Sequence, residues 1–126
     1  MWFVQAVHYP LFAAVGDAGW VAYAGEHVRR TGQVVGPPML LEGATAAVLL
    51  GWRPATVPAG WAWAGAALLG LIWLSTALLQ VPRHRLLGRG FDPAVARTLV
   101  ATNWLRTAAW TLRGVLALAM VARAMG

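Results

Sequence analysis

From Gly60 to Val81 the chain reads GWAWAGAALLGLIWLSTALLQV, 22 residues without one charged side chain. About 20 apolar residues are what an α-helix needs to cross the roughly 30 Å hydrocarbon core of a bilayer. In that solvent only a helix or a closed barrel satisfies its own backbone hydrogen bonds, so the run is read as a spanning helix. Apolar stretches recur along all 126 residues. Overall the chain is 60% hydrophobic and 11% charged, less than half the charge content of a globular domain, about 25%. The expectation is an all-α membrane protein in one domain, a four-transmembrane-helix bundle with short loops.

Four segments are predicted, at about 2–28, 37–52, 60–81 and 93–122. The first ends at Arg29, Arg30 and the helix-stopping Gly32. The second opens at Gly36, Pro37 and Pro38, since proline is tolerated in a first turn. The third stops at Val81 before Pro82. The fourth opens at Asp92 as N-cap and Pro93 as first helical residue. The second is short for a span: 15 residues from Pro38 give roughly 22 Å at 1.5 Å per residue. The first is too long and too polar-striped for a cleaved signal.

All ten basic residues are arginine, and the net charge is +6. Arg29, Arg30, Arg83, Arg85, Arg89 and Arg97 belong to one side of such a bundle, Arg53 and Arg123 to the other. The positive-inside rule makes the first side cytoplasmic and puts both termini on the outer side. Trp2, Trp52, Trp61 and Trp63 then fall at the outer boundary, where an aromatic belt belongs. The charge is thus a topology signal and a contact with anionic headgroups, not a nucleic-acid surface. The localisation expected is a bacterial cytoplasmic (inner) membrane. Without cysteine there is no disulfide and no thiolate metal site; without lysine there is no Schiff-base chemistry.

The fourth segment carries Asn103, Arg106, Thr107, Trp110, Arg113 and Gly114 within about a third of its circumference. An arginine facing lipid at mid-helix costs about 2.5–3.5 kcal/mol on insertion scales, so this face points inward. The first segment offers a matching face with Gln5, His8, Tyr9, Tyr23, Glu26 and His27. The second adds Glu42, and the third Trp73, Thr76 and Gln80. Rise per residue places Glu42 about 7 Å from the cytoplasmic end, Asn103 about 9 Å, Arg106 about 13 Å, Arg113 about 24 Å, and His8 and Tyr9 close to 30 Å. Two layers result. An inner one joins Glu42, Asn103, Arg106, Tyr23 and Gln80, with Glu42–Arg106 as the expected ion pair. An outer one joins Arg113, His8, Tyr9 and Gln5. No acid of the stripe lies at its depth, which leaves Arg113 either paired with Asp17 or free to hold an anionic or carbonyl group.

His8, Tyr9 and Arg113 are the candidate catalytic residues. Arg106, Asn103, Glu42, Trp110, Trp73, Thr76, Gln80 and Tyr23 are the candidate ligand contacts. His8 reads as an acid/base, a haem ligand or a hydrogen-bonded structural histidine. His8 and His27 would lie some 28 Å apart on one helix, so no metal site is expected. His84 reads as a loop residue facing headgroups.

The stretches VHYPLF, GPPMLLE, LIWLSTALLQVP and GFD…LVATNWLRTAAWTLRG resemble a group of uncharacterised small four-helix bacterial membrane proteins. That group is distantly similar to the anthrone-oxygenase-like family, which implies cofactor-independent oxygenation of a flat polycyclic substrate. The layout is also similar to the four-helix bacterial protoporphyrinogen oxidase and its copper-resistance relatives. There an early histidine of the first helix ligates haem, as His8 would; this chain lacks the later lysine of that family. Haem and a quinone are accordingly the candidate cofactors. The function expected is an intramembrane polar site for a lipophilic, planar or anionic ligand, with redox or oxygenation chemistry open. The alternatives are an accessory subunit of a larger membrane complex, a homo-oligomer included, and a small-anion or proton transporter.

Overall fold

Gly16 breaks the first predicted helix. Its φ of +78° with ψ of 152° lies in a region that is essentially glycine-only. The computed structural model describes residues 1–126. Before Gly16 it has two short turns, a π-helical one at Val4–His8 and a 3₁₀ one at Pro10–Ala14. After it, α1 runs unbroken over Asp17–Gly51. A Cβ at Gly16 would meet nothing within 4 Å, so the cost of adding one is conformational. Gly16→Ala is expected to destabilise the protein by about 1–3 kcal/mol. Gly19→Ala, inside α1 and equally open, is expected to stabilise it by about 0.5–1 kcal/mol. Thermal unfolding of the two variants in detergent checks the difference in sign.

Here the structure corrects the four-segment expectation: three helices, not four, are long and apolar enough to cross a membrane. The first two predicted segments share α1, with Pro37 and Pro38 inside it. Each proline removes one backbone donor. In membrane helices such gaps are tolerated because neighbouring groups satisfy the freed carbonyls. The third segment also overruns its predicted stop. It comprises α2 (Ala59–Ser75), a π-helical turn (Thr76–Gln80) and α3 (Val81–Leu87), continuous from Ala59 to Leu87. The helix register shifts just ahead of Pro82, and the Arg83 guanidinium donates to the Leu79 carbonyl at 2.5 Å. The fourth, α4 (Pro93–Met125), starts as expected: Asp92 Oδ1 accepts from the Ala94 and Val95 amides at 2.7 and 3.2 Å. The expectation of both termini on one side rested on an even number of spans, and the structure has three candidates.

α2 packs against both α1 and α4. Gly43 of α1 permits the close approach on one side, since a Cβ there would come within 3.0 Å of the Trp73 ring. The N-terminal turns lie against α4 and fill the corner between α1, α3 and α4. Tyr9, Phe12, Trp20, Ala24, Leu87, Ala96 and Leu99 form the core cluster there. The Trp20 indole donates to the Leu87 carbonyl at 2.6 Å. Only 21 of 126 residues are buried, while Leu40, Leu41, Leu112, Val115 and Leu118 are all at least 60% exposed. Water-soluble monomers rarely expose apolar surface on that scale; a surface facing lipid does.

At 35 residues, α1 is about 52 Å long, against a bilayer core of about 30 Å. Its uncharged-rich half, 34–51, carries only Glu42. Its first half carries Glu26, Arg29 and Arg30, paired with one another on the exposed surface, so Glu26 is not on an inward stripe. At the opposite end of the bundle the Arg123 guanidinium lies 5.0 Å over the Trp61 ring. Trp2 is not in that belt: it packs edge-on to Trp104 and donates to Thr111 Oγ1 at 3.2 Å.

Candidate functional site

Because the chain reverses at Gly16, all three histidines come together. His8 Nε2 lies 3.0 Å from His27 Nδ1, where a straight helix would hold them some 28 Å apart. The Thr31 hydroxyl is 3.4 Å from the same His27 nitrogen. His84, on α3 and not in a loop, hydrogen-bonds through Nε2 to the Tyr9 hydroxyl at 3.1 Å. The His27 and His84 rings lie 5.4 Å apart and tilted by 33°. Tyr23 stacks on His27 at 6.2 Å, which places it here and not beside Glu42 or Asn103.

Burial lowers the pKa of His8 and keeps its ring toward the neutral form. Burial raises that of Tyr9, partly offset by the Arg106 guanidinium beside it. A neutral imidazole carries one donor and one acceptor nitrogen, so neutral rings can be linked to one another and to a hydroxyl without repulsion. No group of three His, Asp or Glu side chains converges to hold a metal ion. Haem ligation needs an imidazole nitrogen free to face an iron. Nε2 of His8 and Nε2 of His84 already have protein partners, whereas Nε2 of His27 and Nδ1 of His84 have none.

The inward stripe of α4 is where the sequence put it. Asn103 and Thr107 are fully buried and Arg106 is 8% exposed. Their partners differ from expectation. Arg106 is not paired with Glu42. Its Nη1 donates to Asn103 Oδ1 at 3.1 Å, Asn103 Nδ2 donates to Gln5 Oε1 at 2.8 Å, and Gln5 Nε2 donates to the Val100 carbonyl at 3.1 Å. Glu42 pairs instead with Arg113, whose other bond goes to the Gly65 carbonyl. The depths predicted for Glu42 assumed a helix starting near Pro37; α1 starts twenty residues earlier, so Glu42 sits at the level of Arg113. Arg113 is therefore not free for an anion, and it is not near His8 or Tyr9. Asp17 is exposed at the start of α1 and makes no ion pair.

A cavity of about 430 Å³ joins these groups, within the size range of small-molecule sites, about 300–1,000 Å³. His8, Tyr9, His27, His84, Thr76, Gln80 and Arg106 supply its polar lining, and Phe3, Val4, Val35 and Met39 part of its apolar one. Two of the polar groups are incomplete. Arg106 Nε and Gln80 Oε1 are buried and have no partner, though Gln80 Nε2 donates to Thr102 Oγ1 at 3.1 Å. The Thr76 hydroxyl donates to the Ile72 carbonyl at 2.7 Å and contributes mainly an acceptor. Trp73 lies over Gly43, and Trp110 borders a second cavity with Glu42 and Arg113. Neither indole lines the histidine cavity. The sequence reading missed His27 and His84 as site residues. The one signal that could have found them is Gly16, read as a chain reversal.

Searches of protein-family models, of curated proteins and of solved structures gave no match to this chain.

Proposed function

We propose that this protein is a membrane-embedded binding site for a lipophilic, planar molecule that carries a carbonyl or an acidic hydroxyl. The observation that carries the reading is one cavity lined by Arg106, Gln80, Tyr9 and the three histidines beside apolar walls, where Arg106 and Gln80 each keep one unpartnered atom just beneath the cavity surface. A buried polar group left unpaired costs about 1–3 kcal/mol, more when it is charged. A ligand presenting an acceptor to Arg106 and a donor to Gln80 would remove both penalties once those side chains turn toward the cavity. Aliphatic and aromatic walls from Phe3, Val4, Val35 and Met39 suit an apolar body. A hydroxylated quinone or a polycyclic ketone has both features, and the anthrone-oxygenase-like resemblance accords with that class.

The membrane setting follows from length and charge. The helices exceed a bilayer core, and the arginine-rich end, with Arg29, Arg30, Arg83, Arg85, Arg89 and Arg97, would face the cytoplasm and its anionic lipids. The histidine cavity would then open near the level where α1 turns from charged to apolar, at the interface of that leaflet.

The test is equilibrium binding of a hydroxynaphthoquinone to the purified protein in nanodiscs. Wild type is expected to bind saturably. Arg106→Gln is expected to weaken binding by about 10–150-fold, the range of one charge-assisted hydrogen bond at about 1.5–3 kcal/mol. Arg113→Gln, away from this cavity, is expected to leave the affinity of the folded fraction unchanged. Equal binding by wild type and Arg106→Gln would remove the basis for the site.

A further inference from the structure

A further cavity, of about 500 Å³, is lined by two of the same histidines, His27 and His84. His27, Thr31, Val81 and His84 border both it and the inner cavity. On its far side are Arg85 and Gly88, at the arginine-rich end of the bundle. These four residues are common to both walls and form the partition between the cavities. Two of them are imidazoles, the only common side chains that give and take protons near neutrality.

The hydrogen bonds run through that partition in the right order for a proton. Tyr9 lines the inner cavity and shares its hydroxyl with His84 Nε2 at 3.1 Å; His84 lines both cavities. His8 lines the inner cavity and is joined at 3.0 Å to His27, which again lines both. We propose that the Tyr9–His84 pair, supported by His27, relays protons between an acidic hydroxyl bound in the inner cavity and the cavity at the arginine-rich end. This rests on the binding site proposed above and specifies its ligand class as one that ionises when bound, a phenol or enol.

The step balances without a co-reactant. The O–H bond of the ligand breaks as its proton passes to the Tyr9 oxygen, and the proton of Tyr9 passes to His84 Nε2. The imidazolium so formed releases the proton on Nδ1 toward the outer cavity. The ligand oxygen keeps the electron pair and stays as an anion beside Arg106. The groups facing His84 are Tyr9 and His8 from the N-terminal turns, His27 from α1 and Arg106 from α4, with Arg83 and Arg85 on its own helix. His84 receives a proton on Nε2 and releases one from Nδ1, so it acts as a transit point and not as the final proton acceptor.

A relay changes the rate of ionisation and leaves its equilibrium alone, which separates it from a merely structural cluster. The probe is a lipophilic nitrophenol, whose phenol and phenolate differ in visible absorbance, bound to the full chain in nanodiscs. In a stopped-flow pH jump, wild type is expected to ionise the bound probe at least about tenfold faster than His84→Gln or Tyr9→Phe. The rates are compared at saturating probe, so that a change in affinity on losing either cavity side chain does not enter, and each variant's ionisation midpoint is measured separately. Arg106→Gln is expected to raise that midpoint, because the cation that stabilises the phenolate is gone. If wild type fails to bind the probe in equilibrium dialysis, the binding site itself falls and the relay with it. If the probe binds and both relay variants ionise it at the wild-type rate, the relay falls and the site stands. Cobalt(II) bound with visible bands that vanish in His8→Gln, His27→Gln and His84→Gln would make the cluster a metal centre and also overturn the relay.

Discussion

Glu42→Ala is expected to destabilise the protein by about 3–5 kcal/mol, the cost of leaving a buried charge without its partner. The Arg113 side chain is 14% exposed and that of Glu42 18%, so neither charge is well solvated by water. The guanidinium would keep only the Gly65 carbonyl. Glu42→Ala combined with Arg113→Met should recover most of the loss, since removing both members of a buried pair is often close to neutral. Unfolding in detergent, followed by tryptophan fluorescence, measures the single and double variants. A double variant as unstable as the sum of the singles would show that the two residues do not interact. Gly65→Ala is a milder probe of the same joint. Its Cβ would come to 3.1 Å from Arg113 Nη1, closer than that guanidinium accepts without shifting.

The same pair shows what could be read from sequence. That Arg106 and Arg113 share an inward face followed from helical periodicity alone, and the structure buries Asn103, Arg106 and Thr107 accordingly. The start of α4 was equally legible, because Asp92 and Pro93 are local signals acting within one turn. Depth was not local. It depended on where α1 begins, and one feature was misread while another was passed over. Pro37 and Pro38, read as a start, are interior residues of a helix long enough to absorb two missing donors. Gly16, passed over inside an apolar run, is the real break. Each error moved Glu42 and His8 along the bundle axis, so the right polar residues were assigned the wrong partners. The histidine cluster was out of reach for a further reason. Residues 8, 27 and 84 sit on three elements, and nothing in their spacing says that those elements meet.

Asn103→Leu carries the other large expected effect, a loss of about 2–6 kcal/mol. Asn103 sits between two buried side chains, donating to Gln5 and accepting from Arg106. Leucine matches its bulk but offers neither bond. Gln5 Oε1 would lose its donor and Arg106 an acceptor, at about 1–3 kcal/mol for each group left unsatisfied. Gln5 is 3% exposed and Arg106 8%, so little water reaches either to replace the lost bonds. The consequence is regional, because Gln5 ties the N-terminal turns to α4 through both Asn103 and the Val100 carbonyl. Amide hydrogen exchange should therefore quicken across residues 4–14 in Asn103→Leu and stay near wild type in α2. Gln5→Leu added to Asn103→Leu should cost less than the two singles summed, since contacting residues couple by about 0.5–3 kcal/mol. Additive losses with no change in exchange over residues 4–14 would mean that this network does not hold the turns in place. The three histidines would then need another reason for standing together, since His8 reaches His27 only while those turns stay docked.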